Sequence, residues 1–308
     1  MDSAGRTTLL DCGLLHLTAK VDGADASAAL CKDLGGDVPM TIDFARANRL
    51  GRSLRDMLRS LIYPGLDLHV RNRASLRRFW KSGHRNVLDA GSGNGYFSWL
   101  AYSSGADVTA MNINAVQIAK ARSFLIGYKR ADPSRLRFEH RDLYDLSTEQ
   151  RSFDEIICFE TLEHVKGDRE VAAQFYRILA PGGFLHLCCP YSRHPRHRRE
   201  AVDTEERGGH VRSGYTEQDY RDLLEPLGFK IDHLVGIGPL KVYSADAVLR
   251  VVRNRFGDLA ALPLLPLMLP AVWLARDNPR IPFSLYVRAV KQGGADTNRR
   301  LIPGLGTA

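Results

Sequence analysis

Residues 87–95 read VLDAGSGNG, an apolar run that closes on an acid and then on three glycines set two apart. Such a run, ending in a turn, is a buried parallel strand that feeds a helix. Gly91, Gly93 and Gly95 allow φ above zero and let the backbone approach a ligand closely. Asp89 places a carboxylate just ahead of them, and Asn94 sits within the turn. A helix is expected from Tyr96 to Ser104, its N-terminus aimed at whatever the turn holds. A dinucleotide fingerprint counted from Gly91 would require glycine or alanine at 96, where the chain has Tyr96. The spacing therefore points away from NAD, and away from an NAD-linked oxidoreductase.

A strand ending in LDxGxGxG resembles motif I of the class I S-adenosylmethionine-dependent methyltransferases. Later stretches extend the likeness, in order, over roughly residues 60–240. The resemblance implies an α/β, Rossmann-like, doubly wound seven-stranded sheet of order 3-2-1-4-5-7-6, with an N-terminal helical cap and an insertion between the last two strands. It implies S-adenosyl-L-methionine as cofactor, with Asp89 near the methionine amino group beside Gly91, Gly93 and Asn94. Arg71 and Arg73, in an arginine-rich helical segment near 70–80, are candidates for an ion pair with the methionine carboxylate; alternatively they form a solvated basic face.

DVTAMNI (107–113) reads as the second strand, and at its end the family usually carries an acid for the ribose hydroxyls. Here the position holds Asn112, which offers one acceptor oxygen and two donors. Weaker ribose binding is expected, with Asn114 sharing the task; the other reading makes Asn112 the cap of a helix over 115–126. After a third strand, Leu136 to Arg141, the resemblance sets Asp142 against the adenine amino group and Leu143 beside the base. On its own Asp142 reads as a loop aspartate.

FDEIICF (153–159) is the fourth strand, and ETLEHV (160–165) follows it. That loop resembles its counterpart in the ubiquinone-biosynthesis type O-methyltransferases, which implies Glu160 at the cofactor and His164 as general base toward an acceptor hydroxyl. Glu160, Glu163 and His164 have the donor types for a divalent metal, and His164 also reads as a structural residue. No metal is assigned. His210, in GGHVRSGY, is the second candidate base, or else fixes its loop.

A chain of 308 residues can bury a full core. We divide it into an N-terminal extension and helical cap (1–80, with Phe44, Ala47, Leu50, Leu54, Leu58 and Ile62 on one helical face), a cofactor-binding core (81–238), an apolar insertion (239–282), a last strand (283–292) and a disordered tail (293–308). Within the core, helices are expected over 169–179 and 216–227. Strands are expected over 184–190, after the turn APGG, and over 229–237. The five cysteines show no CxxC pair and the N-terminus no secretory signal, which suits the cytoplasm.

The net charge of +8 favours anionic partners, but no RNA-binding signature accompanies it, so nucleic acid is not expected. Basic residues crowd 191–199 (YSRHPRHRR). Facing inward they would bind phosphate or carboxylate on the acceptor; facing outward they would be a solvated loop or a membrane-surface patch. Residues 259–275 carry no charge but contain Pro263, Pro266 and Pro270, which argues against a lipid-crossing helix. They suit either a segment in the headgroup layer or a hydrophobic lid, core layer or contact within a homodimer. The activity implied is methyl transfer to a small or lipid-linked acceptor, with a hydroxyl as the acceptor group. The alternatives are N- or C-methylation and a non-catalytic cofactor-binding module.

Overall fold

The computed structural model describes residues 83, 85–199, 201–206, 208–238, 240–264, 266–268, 270 and 278–292. The helices expected near 42–62 and 70–80, with Arg71 and Arg73, and the tail 293–308 lie outside the described residues.

Seven strands form one sheet: β1 (Asn86–Ala90), β2 (Asp107–Asn112), β3 (Leu136–His140), β4 (Phe153–Phe159), β5 (Leu179–Pro190), β6 (Phe229–Ile237) and β7 (Ser284–Lys291). Their order, β3-β2-β1-β4-β5-β7-β6, is the one the resemblance implied, and β7 runs antiparallel to both neighbours. Successive side chains leave a strand on opposite faces. Leu88, Ile156, Cys189 and Val287 therefore pack with Phe175 of α3 (Asp168–Ile178) and Tyr220 of α4 (Glu217–Leu224). Val87, Ile157, Cys188 and Tyr286 pack on the other side with Ala101 of α1 (Tyr96–Ser103) and with Phe124 and Leu125. With both faces covered, the central strands β1 and β4 read as apolar runs instead of alternations.

Three local expectations are corrected. The helix expected over 115–126 is α-helical only as α2 (Ala115–Arg122) and continues as a π-helical stretch, Ser123–Tyr128. The turn APGG lies inside β5, not ahead of it. Phe153 pairs with Leu179 and Glu155 with Phe184, so the extra residues bulge out of the ladder, and Gly182 takes φ 76°. Between β6 and β7, where only the apolar run 259–275 stood out, the chain forms a 17-residue helix, α5 (Leu240–Phe256), followed by the short α6 (Asp258–Ala261). Among the described residues, no helix is long and apolar enough to cross a membrane.

The roots of the two central strands are tied by a buried ion pair. Arg85 Nε donates to Glu155 Oε2 at 2.8 Å, with side-chain exposures of 6% and 2%. The remaining guanidinium nitrogens reach Gly83 O and Ser104 Oγ, both at 3.1 Å. Removing one partner of such a pair leaves a buried charge uncompensated. Glu155→Ala is thus expected to cost about 3–5 kcal/mol in urea unfolding. A loss under about 1 kcal/mol would mean that Arg85 finds water or another acceptor.

Candidate active site

β1 carries Asp89 to the carboxyl edge of the sheet, where open α/β sheets bind ligands. Its carboxylate is 3% exposed and accepts a 2.5 Å hydrogen bond from Ser98 Oγ on α1. Burial pushes the Asp89 carboxyl from 3.8 up to about 6, and the Ser98 hydrogen bonds offset only part of that. The turn beyond it takes the geometry its glycines allow, with φ of 85° at Gly91, 53° at Gly93 and 79° at Gly95. Gly91 N and Ser92 N both donate to Met111 O, at 3.0 and 2.9 Å, which hooks the turn onto β2. A Cβ at Gly91 would lie 2.2 Å from Thr161 Oγ1, whereas one at Gly93 would meet nothing within 4 Å. Gly93 therefore borders open space, and the buried Ser92 Oγ beside it has no hydrogen-bond partner. Gly95 caps α1 without a side-chain bond, which leaves the positive end of that helix at the turn.

The space in front of the turn is a cleft of about 680 Å³ that brings together Asp89, Gly91, Gly93, Asn94, Asn112, Asp142, Leu143, Glu160 and His164. Of the cofactor residues expected from sequence, only Arg71 and Arg73 fall outside the described residues. A glycine cradle open at Gly93, an orphaned serine hydroxyl and a buried carboxylate suit the amino-acid end of S-adenosylmethionine. Where β2 ends, the cleft is lined by neutral amides and not by a charged carboxylate. Asn112 Oδ1 accepts from Asn114 N at 2.7 Å, and its Nδ2 donates to Gln117 Oε1 at 3.2 Å. Asn114, not Asn112, caps α2, accepting from Val116 N and Gln117 N. Gln117 also lines the cleft and was not expected there, since nothing in its helical neighbourhood marks it. Asp142 caps the 3₁₀ helix Leu143–Thr148 in a reciprocal capping box with Asp145.

His164, which lines the cleft, meets His210 edge to face, with ring centroids 4.7 Å apart. His164 Nδ1 lies 2.9 Å from Gly209 O. A carbonyl can only accept, so Nδ1 carries the proton, and Nε2 of the neutral ring keeps its lone pair. The loop that brings His210 here is fastened at several points. Val211 N donates to Glu163 O at 2.9 Å, Arg212 reaches Asp168 and Val165 O, and Tyr144 OH donates to Glu206 at 2.9 Å. Donor atoms of Glu163, His164 and His210 lie within 4.8 Å of one another, so the group able to hold a cation takes in His210 where the sequence suggested Glu160. Glu160 itself has φ 50°, and Ser284 Oγ donates to its Oε1 at 3.4 Å.

In the basic loop the histidines and arginines part company. His194 and His197 are 3% exposed and pack on Phe283, while Arg193, Arg196, Arg198 and Arg199 are exposed and do not line the cleft. The arginines thus follow the outward-facing reading of that loop, while its histidines turn inward.

Asp89 is held at a cost to the fold. Its carboxyl titrates near 6 when folded and 3.8 when unfolded, so between those values the unfolded chain releases a proton that the folded one keeps. Stability contributed by this group is therefore present below about pH 4 and lost as pH rises to about 6, by about 3 kcal/mol. Asp89→Asn should unfold at higher urea than the parent at pH 7, with the difference shrinking toward pH 4. A variant less stable at both values would contradict this.

Comparison with known proteins agrees with the geometry. A family model described as a methyltransferase domain matches residues 66–234, more than half of the chain. The chain is 33% identical over 131 residues to a ubiquinone biosynthesis O-methyltransferase of Xanthomonas axonopodis pv. citri, covering 40% of this chain and 52% of that protein. It is 28% identical over 152 residues to the sterol 24-C-methyltransferase ERG6 of Saccharomyces cerevisiae, covering 47% and 39%. The chain thus spans about half the length, or less, of these curated relatives. Among solved structures, Haemonchus contortus phosphoethanolamine N-methyltransferase 2, in complex with phosphomonomethylethanolamine and S-adenosylhomocysteine, shares the fold at a TM-score of 0.52 and 19% identity, over 72% of this chain and 52% of that one. With sheet order, glycine turn and family model in agreement, the chain belongs to the methyltransferase-domain family, the class I S-adenosylmethionine-dependent methyltransferases.

Proposed function

We propose that the chain methylates a hydroxyl on a small or lipid-linked acceptor, using S-adenosyl-L-methionine held in the cleft described above. The observation that carries this reading is that one cavity is lined by a buried carboxylate, a left-handed glycine turn and the His164 imidazole, against which His210 packs. Asp89 would take the cofactor's amino group, with Gly91, Gly93 and Asn94 along its amino-acid end. Asn112 with Gln117 would meet the ribose, and Asp142 with Leu143 the adenine. When bound, the cofactor supplies an electrophilic methyl group on a sulfonium.

The chain's own contribution is alignment and proton handling. Holding the acceptor oxygen about 3 Å from the methyl carbon accounts for much of the rate such a site can reach. His164 Nε2 is the lone pair placed to take the hydroxyl proton, and the Gly209 carbonyl keeps the ring in the tautomer this needs. His210 packs against that ring and limits its rotation. Oxygen is favoured over nitrogen and carbon by the ETLEHV loop and by the names of the bacterial relatives.

Incubation of the full-length protein with methyl-labelled S-adenosylmethionine and a lipid and small-molecule extract tests this by mass spectrometry. One added methyl on a hydroxyl-bearing compound is expected. His164→Ala should lower kcat by about 10²–10⁴, with cofactor affinity by calorimetry unchanged. Tight cofactor binding without turnover on any fraction would favour the non-catalytic module instead, and label on a nitrogen or carbon would overturn the choice of acceptor atom.

A further inference from the structure

Two segments outside the cleft share a corner of the sheet. Pro190 and Ile237 both pair with Ser284, so the loop after β5 and the helix after β6 leave the sheet on either side of β7. Phe283 fastens them. Its amide donates to Ile237 O at 2.9 Å, its carbonyl accepts from Tyr191 N at 2.9 Å, and His197 Nε2 lies 3.2 Å from that same carbonyl. The buried histidines thus root the loop, and its arginines are left on the surface.

α5 shows an inverted pattern. Ser244, Val248, Val251 and Arg255 follow one another at four-, three- and four-residue steps, which is a single helical stripe, and all four are exposed. Val248 is 49% exposed and Val251 68%, while Leu249 on another face is 1% exposed. Phe256, at 70%, ends the helix, and Leu267 and Ile281, at 76% and 47%, lie further along the same insertion. An outward stripe normally carries polar side chains. Residues 193–199 hold four arginines and 247–256 hold three, and neither stretch contains an acid.

We propose that this corner is a docking face for an anionic lipid bilayer, with Val251 and Phe256 entering the interface and Arg193, Arg198, Arg199 and Arg255 meeting headgroup phosphates. The charge argues for the occupant. A second copy of the chain, related by a twofold axis, would set these arginines against themselves. A nucleic acid would leave Val248, Val251 and Leu267 with nothing apolar to cover them, whereas a headgroup layer accepts both kinds of side chain. Docking here would set the carboxyl edge of the sheet, with the cleft, near the membrane surface. The inference does not depend on methyl transfer, because vesicle binding is measured without cofactor or acceptor.

The test is co-sedimentation of the full-length protein with phosphatidylcholine vesicles, with and without phosphatidylglycerol. Binding is expected only to the anionic vesicles and should weaken with salt. Arg198→Gln/Arg199→Gln should reduce it by about fivefold per arginine. Val251→Asp/Phe256→Asp should abolish it while S-adenosylmethionine affinity, which reports an intact core, is kept. Equal binding to neutral vesicles, no binding to either, or unimpaired binding by the Val251/Phe256 variant would overturn the proposal. A concentration-dependent dimer that Val251→Asp/Phe256→Asp disrupts, with no vesicle binding by the parent, would assign the face to a second copy.

Discussion

The structure turns on a carboxylate that water scarcely reaches. Asp89 stands at the end of β1, against Ser98 and before the N-terminus of α1, and burial raises its proton affinity. Alone, such a group weakens the fold. Placed opposite a cationic ligand group, it becomes a binding determinant, because a charge already desolvated needs little further rearrangement to pair. The glycine turn follows from the same demand. Only a chain without Cβ at Gly91 passes Thr161, and only an open Gly93 leaves room beside the acid.

The sheet converts that local device into a site. Parallel β1, β2 and β4 end together, so the glycine turn, the Asn112–Gln117 pair and the ETLEHV loop converge although they are far apart in the chain. The buried Arg85–Glu155 pair at the opposite ends of β1 and β4 holds those strands in register. The loop carrying His210 closes the far side through bonds to Glu163, Asp168 and Val165, which sets two imidazoles face to edge.

Much of this was legible in the chain, for physical reasons. Strands covered on both faces are largely apolar runs, so β1, β2 and β4 were readable to within a residue, and LDxGxGxG marked the glycine turn that lines the cleft. Features that depend on partners distant in sequence were not. Residues of β5 before Phe184 look like a turn because Pro181, Gly182 and Gly183 are turn residues, yet they lie within the strand as a bulge. α5 was missed because its outward stripe is valine and arginine, which blurs the contrast that a helical period requires. Asn114 caps α2 because its side chain is the one that accepts from Val116 N and Gln117 N, and the approach of His210 to His164 depends on loop bonds that no spacing encodes. The division of the basic loop into inward histidines and outward arginines likewise waits on Phe283, over eighty residues away.

The central claim is that Asp89 is a buried acid whose charge is called up by the cofactor. Carboxyl carbon NMR of Asp89, titrated with and without S-adenosylmethionine, measures this directly. A midpoint of about 6 in the free protein, moved to lower pH by the cofactor, is predicted. A midpoint near 3.8 in the free protein, or one that saturating cofactor leaves in place, would contradict it.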